Sequence, residues 1–273
     1  MRNHSDKYNY KIAHFRHDMP KPKRGEIVII PQDNRLIEIA PYVSGSKLPS
    51  WWKFLPKEKG SLRFCEGTYD FNNLGVIIPA WSDVKIRPNI QGNDFEARIT
   101  PMDDYANGTD QFSIQGFTAA SAGGCPMENL KKIKTGRYVK LVSPWRYRTP
   151  KGVSLMAMPI LHEPNPNYEV VPGFIHTDFY NQIHIVLNIK TDKEFVIPAG
   201  TPLQQLVPIN RNQNTKKIIF GNESMYKYVK NSGLGDNSIP NENPRVFYRK
   251  KQRQNDLEIE EMGNKKWNFL RKS

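Results

Sequence analysis

The sequence predicts an all-β protein, with a β-rich core and irregular basic extensions at both ends. Its 21 prolines and 18 glycines are spread along all 273 residues, which suits short strands joined by turns better than long helices. Apolar runs such as residues 25–31 and 182–189 are short, rich in β-branched residues and bounded by turn residues. With 38% hydrophobic residues, the chain can bury a core of its own.

The predicted elements follow from this pattern, and the core they form takes up residues 25–220. Strands are expected at residues 25–31, 36–43, 73–88 (two strands), 95–101, 136–161 (two strands around the turn Pro150-Lys151-Gly152), 182–189, 194–200, 202–209 and 214–220. Residues 127–133 predict a turn of helix. Asn222 and Gly233 predict the start and stop of another helix, and residues 256–272 suit a short helix or an arm.

The basic charge is concentrated at the two ends of the chain. Of the formal net charge of +13, residues 1–24 and residues 245–273 carry +5 each, which leaves +3 for the remainder. Such ends attract polyanions, so nucleic acid contacted through the termini is one predicted partner. Solvated tails or contacts to neighbouring subunits fit the same pattern. We divide the chain into an N-terminal arm (1–24), the core (25–220), and a short helix, loop and basic tail (221–273).

No signal peptide or spanning apolar run occurs in the sequence. Two cysteines are too few for a disulfide framework in a chain of this length. These features predict a protein of a reducing compartment with no membrane contact.

Residues 172–209, PGFIHTDFYNQIHIVLNIKTDKEFVIPAGTPLQQLVPI, hold the candidate site residues His176, Asp178 and His184. His176-Thr-Asp178 has the H-x-D spacing of a non-haem iron site, with His162 or His184 as a further ligand. A period-two strand from Ile183 would place His184 on the face opposite Ile183 and Ile185. Alternatively, Asp178 accepts backbone N–H groups in a tight turn and His176 satisfies a backbone group, with no ligand at all.

The same stretch resembles a segment of dUTPases and dCTP deaminases. Gly173, Asp178, Asn188, Gly200, Gln205 and Leu206 fall where that pattern has them, and Phe179 stands at its tyrosine. Residues 140–159 are similar to the preceding strand, turn and strand. The resemblance implies a β-clip core over residues 137–209, a barrel or sandwich of dUTPase type, and a homotrimer.

The resemblance does not extend to the family's catalytic residues. The aspartate that holds the attacking water in dUTPases is replaced by His176, and the phosphate-binding Pro-Arg-Ser-Gly by Pro159-Ile160-Leu161-His162. The loss of that arginine removes a bidentate phosphate donor. We therefore expect no triphosphate hydrolysis and favour a protein that is not an enzyme and has no cofactor. Retained nucleotide binding would use Phe179 for stacking, with Arg146, Arg148, Lys151 and Gln205 as further candidates.

A longer resemblance joins residues 50–86, 142–160 and 173–209 to an uncharacterised protein family of tailed phages of marine bacteria. Its Trp-Trp, Ile-Pro-x-Trp, Pro-Trp-x-x-x-Thr-Pro and Ile-Pro-x-Gly-Thr-Pro-x-x-Gln motifs occur here. This resemblance implies a viral protein, located in the infected host's cytoplasm or in the virion, and brings no known activity. The leading hypothesis is a non-catalytic binding, assembly or structural role. A nucleotide-binding or nucleotide-processing protein and a non-haem iron enzyme remain the alternatives.

Overall fold

The structure is a computed structural model, and it describes residues 21–32, 34–47, 49–58, 61–91, 94–101, 115–116, 138–161, 163–211, 219–231 and 252–258. The N-terminal arm is thus described only from residue 21, and the basic C-terminal tail only at 252–258. The chain divides into two compact units. The first comprises Met1–Lys53 and Asn72–Gln213, and the second comprises Phe54–Phe71 and Asn214–Ser273.

Antiparallel sheets build the first unit, which confirms the predicted all-β class. One sheet has the strand order β1-β7-β11-β9, with β6 also paired to β7. Its strands are β1 (Val28–Pro31), β6 (Gln115–Gly116), β7 (Tyr138–Arg148), β9 (Tyr168–Val170) and β11 (Gln182–Ile189).

A second sheet has the order β10-β8-β13-β3-β2, and a third has the order β12-β4-β5. The second contains β2 (Tyr42–Val43), β3 (Val76–Pro79), β8 (Val153–Pro159), β10 (Gly173–Ile175) and β13 (Pro202–Asn210). The third contains β4 (Val84–Gln91), β5 (Asp94–Pro101) and β12 (Phe195–Ile197).

One hydrophobic core lies between these sheets and takes side chains from all three. Strand β11 shows how the sequence pattern builds it, because its alternate residues Ile183, Ile185, Leu187 and Ile189 are buried. His184 lies on the opposite face, as the period of two predicts. Trp145 and Tyr147 on β7 fill the same core and are fully buried.

One expectation about the first 60 residues is wrong. Residues 36–43 form a 3-10 helix over Asn34–Ile39 followed by the short strand β2, not one continuous strand. Pro41 has no N–H to donate to a ladder, so pairing with β3 begins only at Tyr42. In the segment that follows, Trp52 is buried and Phe54 is almost fully exposed.

The helices are short. Helix α1 (Glu66–Asn72) was not expected from the sequence, and α2 (Glu223–Asn231) confirms the predicted helix after Asn222. A third helix, α3, spans 252–258. The predicted strand at 214–220 and the helical turn at 127–133 lie outside the described residues, except that 219 and 220 carry no strand. No helix in the described ranges combines the length and apolarity needed to cross a bilayer.

Substitution of Gly75 tests the approach of β13 to the segment that precedes β3. Gly75 has φ +71°, and an added Cβ would lie 1.9 Å from the carbonyl oxygen of Leu206. We expect Gly75→Ala to lower the free energy of unfolding by about 2 kcal/mol or more, because the backbone must move and the left-handed conformation is strained. Urea unfolding measures the change.

Gly67→Ala is the matched control, because Gly67 lies in α1 and no atom lies within 4 Å of its added Cβ. Its unfolding free energy should be unchanged or slightly raised. Equal destabilisation by the two substitutions would contradict the close approach at Gly75.

Candidate binding site at the Asp178–Arg211 clamp

The candidate site is built where β8 begins and β13 ends. These strands pair antiparallel, with Val153 opposite Asn210 and Ser154 opposite Ile209. The ladder continues beyond the strands, since the Arg211 N–H donates to the Gly152 carbonyl at 3.0 Å. Gly152 has φ +84° and closes the predicted turn, in which the Val153 N–H donates to the Pro150 carbonyl. Arg211 is therefore held beside the first residues of β8.

The loop after β10 brings the H-x-D residues to the same place. Strand β10 pairs with β8, with Ile175 opposite Leu155. The N–H groups of Phe179 and Tyr180 then donate to the His176 carbonyl at 3.2 and 2.9 Å, which forms a tight turn. The fully buried Thr177 anchors this turn through a 2.8 Å hydrogen bond between its hydroxyl and that of Thr149.

Asp178 is the centre of the site, and both of its carboxylate oxygens accept hydrogen bonds. Oδ2 accepts the Gly152 N–H at 3.0 Å, and both oxygens accept from Arg211, with Oδ1 2.6 Å from Nη1. The Asp178 side chain is only 8% exposed. The hydrogen bonds from Arg211 lower the pKa of Asp178 to about 2, so it is a carboxylate across the physiological pH range. We call Asp178, Arg211, Gly152, Ser154 and His176 the clamp.

His176 joins the clamp through Ser154. Its Nδ1 lies 2.8 Å from Ser154 Oγ, and that oxygen accepts a further hydrogen bond from Arg211 Nη1 at 3.1 Å. Because arginine only donates, Ser154 Oγ is the acceptor from Arg211, and the same hydroxyl is also hydrogen-bonded to His176 Nδ1. Ser154 is completely buried, so its hydroxyl supports His176 and is not presented to a substrate.

Exposed aromatic side chains surround this rigid centre. The His176 ring lies 5.3 Å from the Phe174 ring and 5.6 Å from the Phe179 ring, measured between centroids. The Arg211 guanidinium carbon is 5.9 Å from the Phe179 centroid. Phe179 is 70% exposed, and Phe174 and Tyr180 are each about half exposed. We call residues 174–180 the aromatic loop; it offers flat apolar surface that a partner or a planar ligand could cover.

The other sequence-predicted residues do not all join this loop. Arg146 and Arg148 alternate on β7 with the buried Tyr147, and Lys151 lies in the turn before β8. In the described part of the chain, the cation in contact with Phe179 is Arg211. Gln205 is 1% exposed and its amide donates to the Leu74 carbonyl at 2.9 Å, which takes it away from any ligand surface.

His184 is separate from the H-x-D pair. It lies on the half-buried face of β11, opposite Val142 of β7. Burial and then the charges of Lys140 and Arg146 lower its pKa to about 4, so it is neutral at neutral pH. His162 lies outside the described residues. Within the described ranges, no three His, Cys, Asp or Glu side chains are grouped as a metal site requires.

Sequence reasoning missed the two residues that complete the clamp, Ser154 and Arg211. Ser154 is a small polar residue in an apolar strand, and Arg211 lies two residues beyond the end of the predicted strand 202–209. A serine in an apolar strand is a weak sequence signal for a binding site, because the sequence does not show which residues it will face. Only the register of β8 against β13 pairs the two positions with Asp178.

The ion pair of the clamp predicts a pH dependence of stability. The native pKa of Asp178 is depressed to about 2 from 3.8, so its contribution is complete above about pH 4 and is lost as the pH falls towards 2. We expect Asp178→Asn to lower the unfolding free energy at neutral pH by about 2 kcal/mol. In urea titrations, the gap to the wild type should close between about pH 4 and pH 2.

Glu169→Gln is the control for this experiment, because Glu169 pairs with Lys190 at an exposed site. Such pairs contribute about 0–1 kcal/mol, so its effect should be small at every pH. An Asp178→Asn gap that stays constant down to the acid limit would rule out the ion pair as its source.

Comparison with known proteins gives little beyond this geometry. No family model matches the sequence, and no curated protein matches it. Among solved structures, the native dUTPase of EIAV is similar over 32% of this chain and 72% of its own, with 10% sequence identity and a TM-score of 0.26. A similarity this low supports no inference about activity, so the all-β class rests on the sheets themselves.

Proposed function

We propose that this chain is a phage-encoded, non-catalytic binding protein whose contact surface is the aromatic loop. One observation carries the proposal: the Asp178 carboxylate is closed off by Arg211 and the Gly152 N–H, while the aromatic side chains beside it are exposed. The phage origin rests on the resemblance of the sequence motifs to the phage family.

The polar groups of the clamp are hydrogen-bonded to one another. A general base needs a lone pair that can reach a substrate, but the oxygens of Asp178 face Arg211 and Gly152. A non-haem iron site needs several ligating side chains grouped together, and no such group of His, Cys, Asp or Glu occurs within the described residues, so they lend a non-haem iron enzyme no support. His176 stands where dUTPases carry their water-holding aspartate, and its Nδ1 is taken by Ser154.

The aromatic loop suits binding because it is already ordered. Its backbone is held by the turn at His176, the Thr177–Thr149 hydrogen bond and the clamp. A partner that covers Phe179 therefore does not have to order the loop, which lowers the entropy cost of association. The net charge of +13 favours a polyanion, and we propose that the basic ends reach nucleic acid or neighbouring subunits.

A binding assay with single-stranded DNA tests this proposal. We expect fluorescence anisotropy to show binding that weakens steeply with added salt, and deletion of residues 1–24 or 245–273 to flatten that dependence. Phe179→Ala should weaken binding by about tenfold, from a stacking loss of roughly 1–3 kcal/mol. It should leave the salt dependence unchanged.

Phe54→Ala serves as the control, because Phe54 is an exposed aromatic outside the aromatic loop, 85% exposed against 70% for Phe179. An equal effect of the two substitutions would mean that DNA contacts exposed aromatics without selectivity. Absence of any binding at low salt would overturn nucleic acid as the partner and leave protein subunits as the remaining class.

A second candidate function is binding of a free nucleotide. It is favoured by the ring contacts of His176 and Arg211 with Phe179, which make a platform that a base or sugar could cover. We expect dUTP, dCTP or their monophosphates to raise the thermal midpoint of unfolding without being hydrolysed. Ligand at 100 times its dissociation constant stabilises the folded state by about 2.7 kcal/mol.

Phe179→Ala should abolish that thermal shift, whereas Phe54→Ala should retain it. Release of pyrophosphate or phosphate from dUTP by the wild-type protein, lost in a His176→Ala variant, would contradict the non-catalytic assignment.

A further inference from the structure

Residues 219–228, which contain the first part of α2, expose an unusual amount of apolar side chain. Ile219, Phe220, Met225, Tyr226 and Tyr228 are between 59% and 91% exposed. In the described part of the second unit, no large hydrophobic side chain belongs to the buried core. We call residues 219–228 the apolar segment.

The helix itself is well formed and two-sided. Asn222 caps it, since Asn222 Oδ1 accepts the Met225 N–H at 3.0 Å. Glu223 and Lys227 form an ion pair of 2.7 Å one turn apart, so they share one face. Helical spacing of 100° per residue places Met225 and Tyr228 on an apolar arc away from that pair, with Tyr226 at the edge of the arc, about 60° from Glu223. The charged face suits water, and the apolar arc is left uncovered.

The residues before the helix extend this apolar arc. A Cβ on Gly221 would lie 3.2 Å from the Met225 sulfur, so the chain enters α2 beside Met225. Phe220 immediately precedes Gly221 and is the most exposed of the five side chains. The apolar side chains of residues 219–220 therefore lie just before the polar cap, and Met225, Tyr226 and Tyr228 follow it within the helix.

The exposed area approaches what a protein interface needs. Taking about 200 Å² for a full aromatic side chain, Phe220, Tyr226 and Tyr228 alone expose roughly 450 Å². Monomers rarely expose a patch larger than about 300–600 Å². Two such segments, with Ile219 and Met225 added, pass the roughly 1,000 Å² total of a specific interface.

We propose that the apolar segment docks onto the same segment of a second copy of this chain. The roughly 1,000 Å² of a specific interface is reached only if the partner contributes as much apolar surface as this segment does. A second copy of the chain does so, because a two-fold contact brings the same surface from both partners. The Glu223–Lys227 pair lies off the apolar arc, so two chains of net charge +13 can meet where neither presents a charge. A polyanion would instead seek cations, which this arc lacks.

The sign of the salt dependence separates self-association from bridging by nucleic acid. Apolar contacts between two positively charged chains should hold or strengthen as salt screens their repulsion. Association through a shared polyanion should weaken with salt.

Sedimentation equilibrium on the nuclease-treated full chain, at low and high salt, is the test. The wild type should fit a monomer–dimer equilibrium at both salt concentrations. The double variant Phe220→Ser/Tyr228→Ser should raise the dimer dissociation constant by about tenfold or more, since buried aromatic anchors dominate such contacts. All substituted side chains are exposed, and circular dichroism verifies that the fold is kept.

Phe179→Ser is the matched control, because it removes an exposed aromatic of the aromatic loop and should leave the dimer unchanged. The inference is overturned if the wild type is monomeric up to its solubility limit, if the double variant associates as the wild type does, or if association vanishes at high salt. Because Phe179→Ser instead weakens the binding of DNA, failure of the proposed function and failure of this inference give different results.

Discussion

The bidentate ion pair between Arg211 and Asp178 is the contact on which the site depends. It joins three segments that are distant in the sequence: the turn before β8, the loop after β10 and the end of β13. Charge-assisted, two-point hydrogen bonds fix orientation as well as distance. Through Ser154 the same arginine also sets the position of His176. His176, Thr177 and Asp178 thus hold the aromatic loop to the neighbouring segments through their side-chain hydrogen bonds.

This arrangement affects the chemistry of Asp178. The hydrogen bonds from Arg211 hold its pKa low, so it stays a carboxylate, and both of its oxygens already accept hydrogen bonds from Arg211 and Gly152. The His176 imidazole is likewise hydrogen-bonded at Nδ1, to Ser154. The aromatic surface around Phe179 stays exposed, and it is the surface that we propose as the contact for a partner.

The two units differ in where their hydrophobic side chains lie. In the first, alternating side chains on β11 and the aromatic residues of β7 fill one core between sheets. In the described part of the second, the apolar side chains around α2 remain at the surface. The helix is capped and carries an ion pair on one face, and among the described residues its apolar side chains do not belong to the buried core. Covering such a surface removes apolar area from water and so stabilises it.

Local pattern by itself determined the all-β class, the alternation that buries Ile183 and Ile185, the turn at Gly152 and the helix after Asn222, because each depends on neighbouring residues only. The strand expected at 36–43 failed because pairing needs a partner strand and Pro41 interrupts it. Only tertiary structure decided what Asp178 does. Its partner, Arg211, is 33 residues away, and strand register alone brings them together. The same holds for Gln205, whose burial follows from the packing of β13 against the Leu74 backbone and not from any feature of its own sequence.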